Sequence, residues 1–276
     1  MSILTEMRDV NPVPPAAGYI GGKSKLAVRL IDLISTVPHE LYAEPFVGMG
    51  GVFLRRPSAP KAEVINDLSG DVSTFFRILQ RHYVAFVEML RFQLTTRREF
   101  ERLTNIDPST LTDLERAARF LYLQRTAYAG KVSGRTFGTR AGAPALFDIT
   151  RIVPLLESIH ERLAGVVIEA LPFDRFIKTY DRPHTLFFID PPYFGCETDY
   201  GAGMFTRDDF ARLAAQLAEI KGHFILTIND CPEIREIFAA FELTAVDVSY
   251  SIQREAPKEF GELIITGPRA LPRLLI

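Results

Sequence analysis

Along the first third of the chain the spacing of apolar residues changes period more than once. Leu26, Leu30, Leu33 and Ile34 recur at intervals of three and four, which predicts a helix from Lys23 to about Thr36, with Pro38 just past its end. The stretch before it, closing in Asn11-Pro12-Val13-Pro14-Pro15, is too rich in proline for a helix or a central strand and reads as an extended lead-in. A short strand follows at Leu41 to Glu44, then a glycine-rich turn at Gly48 to Gly51 with a brief helix, then a strand at Glu63 to Asn66, which together make a βαβ rhythm. From Val72 to about Arg125 the period is helical throughout. After a glycine-punctuated loop at 130–142 and a helix near 150–163, strands resume at Val166 to Glu169, Thr185 to Ile189, His223 to Ile228, Leu243 to Val248 and Leu263 to Thr266. Helices at about 173–180, 206–219 and 231–240 alternate with them. The pattern predicts an α/β fold: one twisted, mostly parallel sheet with helices on both faces, built from residues 1–73 and 165–276 and interrupted by a helical insert at 74–164.

Composition narrows the class. With 47% apolar and 24% charged residues the chain reads as an ordinary globular protein, and no apolar run is long enough for a membrane span. Without a leader-like N-terminus, the expected location is the cytoplasm. Two cysteines, Cys196 and Cys231, are too few for a disulfide framework or a cysteine-rich zinc site. Net charge is only −2, but the insert holds 14 Lys/Arg against 9 Asp/Glu, and 13 of those cations are Arg, whose planar fork suits phosphates and guanine edges. A basic insert in an acidic frame therefore points to a polyanionic partner, although solvated helix surfaces would give the same count.

The sharpest chemical signal is Thr185-Leu-Phe-Phe-Ile-Asp190-Pro191-Pro192-Tyr193, an apolar run ending in a carboxylate, two prolines and a ring. Ligands of open α/β sheets bind outside the carboxyl ends of strands, so this strand delivers Asp190 to the crevice. The prolines stiffen the turn and leave carbonyls free to accept, while Tyr193 offers a stacking face. A fixed acceptor pair beside an aromatic platform suits an exocyclic amine on a nucleobase. As that nitrogen attacks a methyl sulfonium it becomes cationic, and Asp190 gains attraction in that transition state. A base everted from a duplex would recover about 1–3 kcal/mol by stacking on Tyr193.

Two further segments bear on a nucleoside ligand. Glu44-Pro45-Phe46-Val47-Gly48-Met49-Gly50-Gly51 leads from a strand through glycines, and Phe53 at the third position of GxGxxG argues against a dinucleotide site. Asp67, at the end of the next strand, stands where a ribose hydroxyl pair would be held. Gly18-Tyr19-Ile20-Gly21-Gly22-Lys23-Ser24 nearly matches a phosphate-binding loop, which keeps a P-loop-like nucleotide hydrolase as an alternative.

Taken together, the DPPY at 190–193, EPFVGMG at 44–50 and YIGGK at 19–23 resemble, in identity and order, the Dam-like class of adenine-specific DNA methyltransferases, and the resemblance covers nearly the whole chain. It implies a Rossmann-like methyltransferase fold, S-adenosylmethionine as donor without a metal, and the N6 amine of an adenine in double-stranded DNA as acceptor. Carried over, Tyr19, Gly22, Lys23, Glu44, Pro45, Phe46, Gly48, Gly50, Asp67, Phe173 and Asp190 would form the cofactor site, and Asp190, Pro191, Pro192 and Tyr193 the catalytic one. The insert would be the target-recognition domain, with a hairpin near 127–148 in which Arg125, Tyr128, Lys131, Arg135 and Arg140 face DNA and Tyr128 wedges into the stack. The chain departs from the family's pattern at Gly18, Ala129 and Pro172. A catalytically silent DNA-binding module of the same fold is the second alternative. The sequence leaves the oligomeric state open, a monomer included.

Overall fold

A computed structural model describes residues 7–23, 25–139, 142–201, 203–246 and 261–267. Its centre is a seven-stranded sheet: β1 (Leu41–Glu44), β2 (Ala62–Asn66), β3 (Val167–Glu169), β4 (Thr185–Ile189), β5 (His223–Asn229), β6 (Glu242–Val246) and β7 (Glu262–Thr266), in the order β3-β2-β1-β4-β5-β7-β6. All neighbours run parallel except β7, which is antiparallel to both β5 and β6. A separate two-residue ribbon pairs Arg8–Asp9 with Ser58–Ala59 and fastens the lead-in to the body.

Helices α1 (Ala27–Thr36), α2 (Gly70–Arg81), α3 (Tyr83–Leu90), α4 (Arg97–Thr104), α5 (Asp113–Thr126), α6 (Ile149–Arg162), α7 (Phe173–Tyr180), α8 (Arg207–Glu219) and α9 (Pro232–Ile237) complete the fold. Strand alternation decides which helices go where, because successive side chains point to opposite faces. Tyr42, Ile65, Leu186, Phe188, Ile225 and Ile264 join a core with α1, α2, α6 and the rest of the insert. Ala43, Val64, Phe187, Ile189, Leu226, Ile228, Leu263 and Ile265 join another with α7, α8 and α9. This is a Rossmann-like α/β arrangement, with helices on both faces. Local signals set several ends: Thr112 and Glu115 form a reciprocal capping box on α5, and Thr96 caps α4 through the Glu99 N–H.

The insert shares its core with the sheet. Arg162 of α6 donates to both oxygens of buried Glu63 on β2, at 2.7 and 2.8 Å, and Arg56 donates to the same carboxylate at 2.9 Å.

Three expected elements differ. The first helix begins at Ala27, not Lys23, because Gly21 turns the chain at φ 72° and Lys23 is drawn aside. The helix after the glycine turn is a single 3₁₀ turn, Phe53–Arg55. Among the described residues of the expected hairpin near 127–148 there is one bridge, Ala127 to Phe137, with Tyr128 N–H on Thr136 O and Gly138 N–H on Thr126 O, both 2.8 Å. Among the described residues no helix is long and apolar enough to cross a membrane.

Candidate active site

The strand order reverses between β1 and β4, since β2 and β3 extend the sheet to one side and β5 and β7 to the other. The carboxyl ends of the two strands at such a switch point flank the crevice in which ligands of open sheets bind. β1 ends in Glu44, and the residue after β4 is Asp190. Both line a cavity of about 310 Å³ together with Tyr19, Gly22, Lys23, Phe46, Gly48, Asp67 and Pro192. Chain segments far apart in sequence therefore meet where the topology alone would put a ligand.

Asp190 is held by two neighbours. Its Oδ1 accepts from Thr227 of β5 at 3.0 Å and lies 2.7 Å from Lys23 Nζ. The same ammonium reaches Glu262 Oε1 at the start of β7, the hydroxyl of Tyr193 and the Gly21 carbonyl, each at 3.1 Å, and stands 4.5 Å from the Tyr193 ring centroid. Tyr193 in turn donates to Glu262 at 3.0 Å. Burial opposes charge on Lys23, but Asp190 and Glu262 outweigh it and hold the ammonium protonated above its ordinary range. Burial raises both carboxyl groups, with Lys23 pulling the other way. From below, Asn229 clamps the turn by accepting from Phe194 N–H and donating to Phe194 O.

Glu44 is buried and accepts from Tyr42 at 2.9 Å. Burial pushes its carboxyl up to about 8, so the neutral form predominates near pH 7. Asp67 accepts from the N–H groups of Gly48 and Ser69, both at 2.9 Å, and burial lifts it to about 6 despite them. These bonds tie the glycine turn after β1 to the end of β2. Beside them Asn66 donates to the Pro45 and Leu171 carbonyls and accepts from Leu171 N–H.

Several expected site residues support the cavity without lining it. Pro45 contributes the carbonyl that Asn66 binds. Gly50 has φ 76°, and a Cβ there would come within 2.9 Å of Leu54 Cγ, so its glycine serves packing. Phe173 sits behind Phe46 and Phe205, with ring centroids 5.8 and 5.7 Å away. Pro191 is buried in the turn, and the hydroxyl of Tyr193 is committed to Glu262. Glu262, Thr227, Asn229 and Tyr42 were missed as site-builders. The signal was present as polar residues at inward positions of otherwise apolar strands.

The loop expected to face DNA divides. Tyr128 is 56% exposed, and Lys131 is exposed as well. Arg125 departs from the expected role: its guanidinium donates to the carbonyls of Ala16 and Leu146 and so stitches α5 to the lead-in. Arg135 is half-buried and donates to Lys131 O at 3.2 Å and Gln124 Oε1 at 3.5 Å. Arg140 lies outside the described residues. The P-loop reading finds no support in this geometry. Lys23 precedes α1 by four residues and its ammonium is buried between two carboxylates, where an anionic phosphate would be repelled.

The loop's base is locked to the loop at 18–22 that lines the cavity. Ile20 N–H donates to Gly130 O, and Gln124 Nε2 donates to the carbonyls of both Gly18 and Gly130. Gly130 has φ 67°, and a Cβ on it would lie 2.9–3.0 Å from backbone atoms of Gly18 and Tyr19. Gly130→Ala is expected to incur the left-handed penalty of about 1–2 kcal/mol and to displace the Tyr19 loop, lowering both the unfolding midpoint and ligand affinity in the cavity. Gly134, at φ 56° with nothing within 4 Å of an added Cβ, is the control. Gly134→Ala should show the penalty alone, and equal midpoints for the two variants would show that the Gly18–Gly130 contact does not matter.

Comparison with known proteins agrees with this geometry. A model of the family described as D12 class N6 adenine-specific DNA methyltransferase matches residues 19–252. The type II methyltransferase M.CviBI of Paramecium bursaria Chlorella virus NC1A is 22% identical over 256 residues, 91% of this chain and 96% of its own. The type II methyltransferase M.MjaIII of Methanocaldococcus jannaschii is 25% identical over 234 residues, 73% of this chain and 78% of its own. With the motifs in order, the switch-point cavity and a family match over most of its length, the chain belongs to the D12 class of N6 adenine-specific DNA methyltransferases.

Proposed function

We propose that the chain transfers a methyl group from S-adenosylmethionine to the N6 amine of an adenine everted from duplex DNA, in one direct step. The observation that carries this reading is the placement of Asp190 at the switch point, in the same cavity wall as Glu44 and Asp67. The donor fits the residues present. The charged residues lining the cavity are Lys23, Arg55, Glu44, Asp67 and Asp190, a balance of −1 when all are ionised, against a ligand whose sulfonium, ammonium and carboxylate sum to +1. Asp67 would hold the ribose hydroxyls, Phe46 and Phe205 would pack the adenine, and Glu44 would face positive charge. When bound, the donor supplies a methyl group activated by a sulfonium.

The chain's own groups do the rest. Thr227 and Lys23 occupy Asp190 Oδ1, which leaves Oδ2 to accept from the target amine. As the N–C bond forms and the methyl–sulfur bond breaks to leave a neutral thioether, the amine nitrogen turns cationic. The carboxylate attracts it more strongly than it did the neutral amine, which lowers the barrier. Burial makes that attraction larger than it would be in water. The surplus proton then leaves the nitrogen for the Asp190 carboxylate or water. The Tyr193 ring supports the base, oriented by its hydroxyl's bond to Glu262. Tyr128 and Lys131 face the duplex, Tyr128 as wedge and Lys131 on phosphate, with Arg135 and Arg140 as further DNA contacts.

Incubation with tritiated-methyl donor and duplex DNA is expected to yield label that co-migrates with N6-methyladenine after hydrolysis to nucleosides. Label on cytosine, or tight binding of Mg-ATP with none of the donor, would overturn the reading.

A further inference from the structure

Among the charged residues of the cavity, Arg55 stands apart. It closes the 3₁₀ turn after the glycine segment, its Nη1 donates to the Gly51 carbonyl at 2.6 Å, and it lines the same cavity as Glu44 and Asp190. An added Cβ on Gly51 would lie 3.9 Å from that nitrogen and 3.7 Å from the Lys23 backbone nitrogen, so the missing side chain keeps a gap between the arginine and the Lys23 loop.

Several buried or half-buried cations have carboxylates, while Arg125 and Arg135 of the insert, which lie outside the cavity, are held by backbone carbonyls and Gln124. Arg56 and Arg162 share Glu63, Arg116 pairs with Asp71, and Lys23 sits between Asp190 and Glu262. Arg55 is half-buried and, among the described residues, has no acid within ion-pair distance. Burial lowers its pKa from the ordinary arginine value. A guanidinium taken partly out of water with no anion is a standing cost unless a ligand supplies one.

We infer that Arg55 binds the α-carboxylate of the donor's amino-acid moiety. The inference rests on S-adenosylmethionine as the cavity's ligand. That molecule carries one anionic group, and of the two cations lining the cavity Lys23 is already bound to Asp190 and Glu262, which leaves Arg55 to face it. The guanidinium fork presents paired N–H groups that suit a carboxylate. The consequence is polarity: the amino-acid end lies at the Gly51 end of the glycine turn, and the ribose lies at the Gly48 end, where Asp67 is bound.

The test uses calorimetric titration of the full chain with three ligands: S-adenosylmethionine, its decarboxylated form, and 5′-deoxy-5′-methylthioadenosine, which lacks the amino-acid arm. The unaltered protein is expected to prefer S-adenosylmethionine over the decarboxylated form by roughly 10- to 100-fold, the range of a charge-assisted pair. Arg55→Gln should reduce that preference to within about 3-fold while leaving the affinity for 5′-deoxy-5′-methylthioadenosine unchanged, which also certifies the fold. Arg55→Lys should restore part of the preference. If Arg55→Gln keeps the full preference, or loses DNA affinity instead, the carboxylate role is wrong. If the unaltered protein binds none of the three, the donor reading fails and Arg55 with it.

Discussion

Asp190→Asn is expected to lower the single-turnover rate of methyl transfer by about 10³-fold, roughly 4 kcal/mol of barrier, while changing donor affinity by less than about tenfold. The asymmetry follows from where the charge matters. The amide still accepts from Thr227 and fills the same volume, so the turn and the cavity survive. What is lost is a full negative charge beside a nitrogen that becomes cationic only as the bond forms. A free-energy difference confined to the transition state appears in the rate and spares the affinity. If rate and donor affinity fell together, Asp190 would be acting as a cofactor ligand. Unchanged transfer would remove it from the chemistry.

Lys23→Met is expected to destabilise the protein in a pH-dependent way. Without the ammonium, Asp190 and Glu262 face each other in a buried site, and both carboxyl groups, already raised by burial, rise further. The sign follows from linkage. A carboxyl group with a folded-state pKa above its unfolded value of about 4 favours folding least when it must ionise, so the variant is nearly unpenalised at acid pH. Its deficit then grows as pH rises toward the folded values. Lys23 itself, raised in the folded state, stays protonated through this range and titrates only in strong alkali, so its own ionisation adds no pH dependence here. The loss should be small near pH 5 and reach about 3–5 kcal/mol by pH 8, the usual cost of stranding buried charge. Urea unfolding at three pH values measures it. A deficit that does not vary with pH would mean that the lysine acts through its packed stem.

Much of this site was readable before any fold was in hand. Asp190 ends an apolar run, and a buried parallel strand that stops in an acid places it at the sheet's carboxyl edge. Glu44 and Asp67 follow by the same rule, and the glycines between them mark a turn against which backbone and ligand approach closely. Local covalent geometry carries such signals, because a strand's exit, a rigid proline pair and a positive φ depend on neighbours in sequence. The pairing of Lys23 with Asp190 and Glu262 was not readable. It joins residues from the lead-in, from the turn after β4 and from the antiparallel strand β7, which only the strand order brings together.

The same division explains the insert. Its helical period and its arginine-rich composition were evident, yet composition could not say which arginines face water. Arg125 is turned onto the carbonyls of Ala16 and Leu146 and Arg162 onto Glu63, whereas Lys131 stays exposed. The amino-acid order by itself determined the element types, the acidic strand ends and the family. The tertiary structure decided which charges neutralise one another and which, like Arg55, are left for a ligand. The reason is that periodicity and turn chemistry act over a few residues, whereas compensation of a buried charge depends on distance in space.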